Sequence, residues 1–560
     1  MTGKMKTDEK SGFQISFVSD SALRVFLGPD STAVLALFKS LSTLIESGAL
    51  LGIENLHPAY ESLTIDFDPQ AVLPAELEKQ IANVCRRIKR PASSSRLIEI
   101  PVVYDDENGP DLADASASIG LTREQLIARH TSSEYEVAFL GFSPGFPYLR
   151  GLDPALSCAR KQVPRLKVPA GSVAIGGNQT GIYPEESPGG WQLIGRTGLE
   201  LFDPSRDPAT LLAPGDRVRF TRTSELPRAR GRHLVARPAV NDAPEVLEVT
   251  SGGFHSTIQD LGRFRYSHLG ISRAGAADAL ALRLGNRLVG NRDGAAAIEM
   301  TVSGGSFRFL KSAWIAFSGS DCGPSIDGEP ITMATSFPVR AGQTVRTGSL
   351  EHGARSYLCV NGGVNVPVIL GSRATFVSGK WGGLAGRALQ AGDRLSTASD
   401  ALRPPGYRRL TSELKAAYRA PVSELRATRG PQWEWFSSRA RQDFFSCEFE
   451  VTMDGDRRGL RLAGPPLEYE SEKRETELVT EGVANGAVQV PAGGQALALF
   501  CEQQTTGGYP KIANVIRADL FRLGQLRPGN RFKFRECSFE EAWRLSSELE
   551  RVIERSIHVF

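Results

Sequence analysis

The chain has 560 residues, with 66 Lys and Arg against 63 Asp and Glu and a formal net charge of +3. So even a balance, with no long basic run, excludes nucleic-acid binding as the main role, which needs a concentrated positive face. No apolar stretch reaches the ~18 residues of a membrane helix, and the opening MTGKMKTDEKSG lacks the apolar core of a signal peptide, so no membrane association is expected.

Residues 10–95 read as a small α/β sandwich. Segments 13–18 and 22–27 alternate as strands, 31–47 carries apolar residues at helical spacing, and 63–67 is a further strand. A second helix is expected over 73–90, ending in Arg86, Arg87, Lys89 and Arg90, which suit a helix C-terminus. Pro91 to Ser95 reads as a linker. From 96 to 222 strand and turn signals dominate. One helix interrupts them, opening on the capping-box spacing Thr122-Arg123-Glu124-Gln125 and running to about His130. Residues 223–245, rich in Arg, Pro and Ala, read as the main linker. A second block divides near Pro404-Pro405 into 246–404, with a strong helix over 276–288, and 405–545. With 57 Gly and 33 Pro, the expected class is α+β, mainly β.

Seven cysteines are scattered and never spaced as CxxC, and the histidines form no HxxxH or HExxH pair. Neither a disulfide framework nor a metal site is expected, and a reducing, cytoplasmic compartment fits best.

Three cassettes recur in order. Val168-Pro169-Ala170-Gly171, Gln179 to Pro184 and Ala213 to Phe220 return as Val490-Pro491-Ala492-Gly493, Gln504 to Pro510 and Arg527 to Phe534. The repetition predicts two copies of one domain type, pairing Gly171 with Gly493 and Pro184 with Pro510. Related domains in one chain often share a cleft, where small molecules bind.

No P-loop, GxGxxG, GxSxG or biotin-attachment string is present. The densest strings are Gly/Pro-rich. Phe139 to Leu149, holding Gly141, Phe142 and Pro144, reads as a strand breaking into a loop that approaches a ligand, or as a barrel corner filled by Phe and Pro. Ser187 to Trp191 has the same two readings. Gln504, Thr505, Thr506, Tyr509 and Lys511 offer an amide, two hydroxyls, a phenol and an ammonium beside two glycines, suited to an oxyanion or to a polar turn. Gln179 and Tyr183 stand in the first copy. His130 reads as a general acid/base or as a helix C-terminal cation. Asp260, Arg263 and Asp278 flank a Gly/Ala-rich turn; Asp278 can also cap the helix that follows.

These strings together resemble a known family. Residues 13–220 resemble the B component of the bacterial ATP-dependent 5-oxoprolinase, the Kip-inhibitor or allophanate-hydrolase-subunit-1 family. The resemblance rests on His130, Gly141 to Leu149, Pro164-Arg165, Val168 to Val173 and Gln179 to Thr197. Residues 246–540 resemble the C component of that enzyme, the Kip-antagonist or allophanate-hydrolase-subunit-2 family. Here the matching strings are Ile258 to Arg263, Leu288 to Asn291, Gly362 to Val364, Leu370 to Arg373 and Val488 to Val515. Both are similar to the carboxyltransferase part of urea carboxylase. The resemblance implies cyclophilin-like β-barrels in two homologous halves and activation of a cyclic amide by ATP with Mg²⁺. It also implies ring opening with a LamB/YcsF-type partner, the A component of 5-oxoprolinase, and no covalent biotin on this chain. A homo-oligomer is compatible with it. By the chemistry of their strings, Lys511, Tyr509 and His130 are the expected catalytic groups. Arg165, Arg196, Arg373 and Arg517 become anion ligands, with Gln179, Tyr183, Trp191, Asp260, Arg263, Gln504, Thr505 and Thr506 positioning substrate or nucleotide. Two rival readings are a biotin-dependent carboxyltransferase acting on a urea-like amide and a Kip-type protein binding a histidine kinase.

Overall fold

The computed structural model describes residues 6–8, 12–29, 31–88, 96–163, 165–226, 243–403 and 406–560. The expected linker at 91–95, most of that at 223–245, and Lys89, Arg90, Pro164 and Pro404-Pro405 lie outside the described residues.

The first layer is a five-stranded antiparallel sheet in the order Lys6–Asp8, Phe13–Ser19, Ala22–Phe26, Ser62–Phe67, Ile53–Pro58. Helices Ser31–Glu46 and Pro74–Arg87 share its core, through Leu37, Leu41, Leu77 and Ile81 against Leu23, Val25, Ile65 and Phe67. Pro74 sits in the first turn of its helix, where its missing N–H costs nothing. The strand Ile53–Pro58 is absent from the sequence reading.

The first barrel runs in ring order Leu97–Val102, Arg217–Arg222, Glu134–Leu140, Pro147–Arg150, Gln179–Ile182, Ser172–Gly176, Gln192–Arg196. Val103 and Arg196 close the ring by exchanging backbone hydrogen bonds of 2.8 and 3.0 Å. Helix Arg123–Ser132 carries both bonds of the expected capping box: Thr122 Oγ1 accepts from Gln125 N–H, and Gln125 Oε1 from Thr122 N–H.

Residues 245–397 form two sheets, of seven and five strands, that share one core including Val249, Phe307, Ile298 and Leu358. The helix here begins at Ala279, not 276, because Asp278 caps it by accepting from Ala281 N–H at 2.7 Å.

The second barrel is closed: Glu424–Arg429, Arg531–Glu536, Glu448–Val451, Gly459–Ala463, Leu497–Leu499, Ala487–Gln489, Lys511–Val515. Read in chain order, strand for strand, this is the ring of the first barrel. Each has one parallel pair, between its first and last strands. A short side ladder also recurs, Arg165–Val168 with Ser187–Gly189 and Glu481–Gly482 with Thr506–Gly507.

The expected pairing holds for the third cassette, since Gly215 and Gly529 each stand two residues before the last strand of their ring, and is overturned for the first two. Ser172 opposes Arg196 and Ala487 opposes Asn514, so the partner of Gly171 is Gly486, not Gly493. Both have φ of +81°, and each accepts a 2.9 Å bond on its carbonyl, from Thr197 N–H and Val515 N–H. Val490 to Gly493 lies instead in the turn between Ala487–Gln489 and Leu497–Leu499. On the other side of the ring, Gly189-Gly190-Trp191 matches Gly507-Gly508-Tyr509, so Pro510 does not match Pro184. Val-Pro-Ala-Gly is turn chemistry that recurs wherever a strand must bend, and it misled the register.

The halves are tied together. Gly145 N–H donates to Leu269 O at 2.8 Å, and Arg265 N–H to Glu54 O at 2.9 Å. The C-terminal helix Phe539–Glu554 returns to the first layer, where Trp543 Nε1 donates to Asp20 O and its ring meets Phe17 edge-on at 5.3 Å. Among the described residues no helix is long and apolar enough to cross a membrane.

Candidate functional site

A cleft of about 420 Å³ opens where the first layer, the 260–283 segment, the second barrel and the C-terminal helix meet. The paired strands Ile53–Pro58 and Ser62–Phe67 bring Glu54, His57 and Asp66 to it. Asn55 opposes Asp66 and His57 opposes Thr64, so His57 and Asp66 are diagonal neighbours, close enough to pair. His57 Nε2 lies 2.7 Å from Asp66 Oδ2, and its Nδ1 3.1 Å from the Thr505 carbonyl of the second barrel. Both ring nitrogens thus face acceptors: a ring protonated at both donates to both, a neutral ring to one. Gly482 makes this approach possible. A Cβ there would stand 2.6 Å from Thr64 and 2.8 Å from His57, so any side chain would push the second barrel off the first layer.

Glu54 sits between two guanidinium groups from different domains. Arg517 Nη2 donates to it at 2.8 Å and Arg273 Nη1 lies 3.5 Å away. Burial alone pushes the Glu54 carboxyl up, but Arg517 and Arg273 together outweigh it and hold the group down at about 2. Arg517 also lies 3.5 Å from Asp68 and gives its backbone N–H to Asp20. Arg273 is less committed, with Nε donating to Leu261 O at 2.9 Å. Cys501 lines the cleft as an inert thiol, pushed up to about 12 by burial.

Of the residues expected from sequence, Gln504, Thr505 and Arg517 line this cleft. Gly141, Phe142 and Thr506 meet one another beside it: Phe142 N–H donates to Thr506 Oγ1 at 3.2 Å, in a loop where Pro144 is buried. The two densest strings of the sequence therefore touch, one from each half. The remainder lie elsewhere. His130 is fully buried in the first barrel, stacked on Phe220 at 4.4 Å and hydrogen-bonded to Tyr104, and burial pushes its imidazole down to about 3. An imidazole held neutral and away from the cleft does not suit the expected acid/base role. Lys511, expected as an exposed cation over a ligand, is 2% exposed and pairs with Glu481 at 2.7 Å. The Lys511 and Arg24 charges hold Glu481 ionised against burial. Tyr509 is 48% exposed and outside the cleft lining.

Arg165 forms a two-pronged pair with Asp111, and Arg196 Nε donates to Ala170 O. Tyr183 and Trp191 pack on Phe146 in the aromatic core of the first barrel, and Gln179 begins a barrel strand. Asp260 accepts from Gly262 N–H, Ser372 Oγ and Arg373 N–H, fixing a loop. Arg263 donates to Ala374 O and stacks over Trp381 at 4.3 Å, while Arg373 lies 3.8 Å from Asp400. Glu54, His57, Asp66 and Arg273 are cleft residues that the sequence reading missed. The available signal was polar residues at 54, 55 and 57 inside a strand-like segment.

Two barrels of one ring order, with a polar cleft built from both halves, define a double-barrel protein of carboxyltransferase-domain type. Residues 13–212 match the model "Carboxyltransferase domain, subdomain C and D", and residues 269–536 match "Carboxyltransferase domain, subdomain A and B". The C component of 5-oxoprolinase from Escherichia coli (strain K12) is 34% identical over 313 residues, covering 55% of this chain and 97% of that protein. The B component of 5-oxoprolinase from Bacillus subtilis (strain 168) is 40% identical over 225 residues, covering 38% of this chain and 94% of that protein. The crystal structure of TTHA0988 is similar over 92% of this chain and 99% of that chain, with a TM-score of 0.79 and 35% identity. The chain belongs to the carboxyltransferase-domain family of the 5-oxoprolinase B and C components, carrying both types of half in one polypeptide.

Proposed function

We propose that this chain is the fused B–C component of a 5-oxoprolinase, opening the ring amide of 5-oxoproline or a related cyclic amide together with a LamB/YcsF-type A component. The observation that carries the reading is that the cleft is assembled from both halves: His57 and Asp66 come from the B-like half, Thr505 and Arg517 from the C-like half. A site that needs both halves gives a reason for joining them. In this reading Arg273, the less committed guanidinium, holds the substrate carboxylate. His57, fixed by Asp66 and the Thr505 carbonyl, holds the Asp66 carboxylate in place at the ring amide. The protein works in the cytoplasm, which suits seven unpaired cysteines.

ATP and Mg²⁺ are the co-reactants this reading implies, since an unstrained lactam is a poor electrophile. The cleft does not fit a triphosphate. Arg517 is taken by Glu54 and Arg283 by Glu550, and Asp66 and Asp68 add negative charge. Among the described residues no group of three or more His, Cys, Asp and Glu could hold a metal ion. A second reading, carboxyl transfer from carboxybiotin on a separate carrier to an amide, draws on the family description that both halves match.

The test is glutamate formation from 5-oxoproline and ATP, with this chain, a LamB/YcsF-type protein, or both. Glutamate from the pair alone is expected. Glutamate from this chain by itself, or none from the pair, overturns the proposal. Transfer of label from carboxybiotin to an amide would establish the second reading.

A further inference from the structure

Four residues that line the cleft each carry a buried polar atom with no hydrogen-bond partner: Asp66 Oδ1, Gln503 Oε1, Thr505 Oγ1 and Ser272 Oγ. Thr505 is 2% exposed, Ser272 5% and Gln503 9%, so bulk water does not serve them. The opposite ends of two of these side chains are pinned. Asp66 Oδ2 is held by His57 at 2.7 Å, and Gln503 Nε2 donates to Val483 O at 3.0 Å. That second bond fixes the amide orientation and leaves the Gln503 oxygen, not its nitrogen, toward a ligand. An ionised carboxylate oxygen and an amide oxygen only accept, and the two hydroxyls can also accept. A buried acceptor left unpaired carries its desolvation cost with nothing to offset it. Four on residues lining one cleft mark atoms kept for a ligand that brings donors.

We infer that Asp66 and Gln503 determine specificity by accepting hydrogen bonds from the N–H of the substrate amide. The cleft then selects a lactam or a urea-type amide and rejects esters and lactones, which bring only acceptors. The inference rests on the reading that the cyclic amide occupies this cleft, and it deepens it: Arg273 holds the carboxylate end, the acceptor set the amide end.

The test is calorimetric binding to the intact chain of 5-oxoproline, of its lactone isostere with ring oxygen in place of N–H, and of urea. The lactone is expected to bind about 10–100-fold more weakly than the lactam, since it leaves the acceptors unpaired and adds a facing lone pair. In Gln503→Met, checked for an unchanged melting temperature, lactam affinity should fall toward that of the lactone while lactone affinity stays. Equal affinity of lactam and lactone overturns the inference and leaves the 5-oxoproline reading standing. Urea binding with neither ring compound binding supports the N–H inference and overturns the 5-oxoproline reading. No binding of any N–H donor overturns the inference.

Discussion

The two barrels share a ring but differ in what lies under the Gly-Gly-aromatic turn. In the first, Asp111 accepts from Leu193 N–H at 2.8 Å, and its own N–H donates to Leu193 O. In the second, Gln432 makes the same two bonds to Lys511. The acid has moved. Asp111 gathers Arg165 and Lys161, whereas Gln432 hands its amide to Glu481, which gathers Lys511 and Arg24. The first cluster stays within its own barrel. The second reaches Arg24 of the first layer and seats its barrel against the strands that carry His57 and Asp66. One scaffold therefore supplies two uses: one copy packs its aromatic turn inward, the other turns the string around Thr505 toward a shared cleft.

If that contrast is right, the largest effect comes from the first barrel's turn. Trp191→Ala should cost about 3–5 kcal/mol, because the ring is 7% exposed against Phe146 and Tyr148. Denaturant unfolding measures it, and a loss below about 1 kcal/mol would show the turn is not packed as described. Lys511→Ala should cost a similar ~3–5 kcal/mol by leaving Glu481 and Arg24 in a broken buried cluster. Lys511→Leu, which keeps the Glu481–Arg24 pair, should recover part of it, since Leu193 fills the matching place in the first barrel. An unchanged midpoint in Lys511→Ala would return Lys511 to the role of a free cation.

Next comes the acid limb. Glu54 is held at about 2 against an ordinary 4.5, so its contribution is full above about pH 4.5 and is lost as pH falls toward 2. That amounts to about 3 kcal/mol at most. Asp20, which burial pushes up to about 6, acts in the opposite sense, with stability lost as pH rises from about 4 to 6. Glu54→Gln should flatten the fall between pH 4.5 and 2 and leave the higher limb alone. An unaltered acid limb would mean that the guanidinium pair does not control the docking of the first layer.

The first layer and the helix after Thr122 were legible because period-2 patterning and a capping box are local signals, and the duplication was legible because cassettes recur in order. The register was not, since identical Val-Pro-Ala-Gly turns lie at different ring positions, while the true partners Gly171 and Gly486 share only a backbone conformation. Three cleft residues, Gln504, Thr505 and Arg517, stood in or near a string that looked chemical. Glu54, His57 and Asp66 did not, because polar residues on a strand facing a cleft look the same in sequence as polar residues facing solvent. Nothing local to residue 57 announces residue 505. Lys511 was misread for the converse reason: a lysine beside glycines reads as exposed, and its partner Glu481 lies on another segment.

The smallest effect is expected at Tyr509, the counterpart of Trp191. It is 48% exposed and lines no part of the cleft, so Tyr509→Ala should shift stability by less than about 0.5 kcal/mol and leave 5-oxoproline binding unchanged. The comparison can then be sharpened rather than merely repeated. A half-exposed aromatic that neither packs nor meets substrate is suited to contact with another chain. If Tyr509 serves the LamB/YcsF-type partner, the variant should bind 5-oxoproline normally yet lose turnover only when the partner is limiting, with added partner restoring the rate. Reduced binding of 5-oxoproline by the isolated variant would instead put Tyr509 in the substrate site, and the two turns would then differ in chemistry as well as in packing.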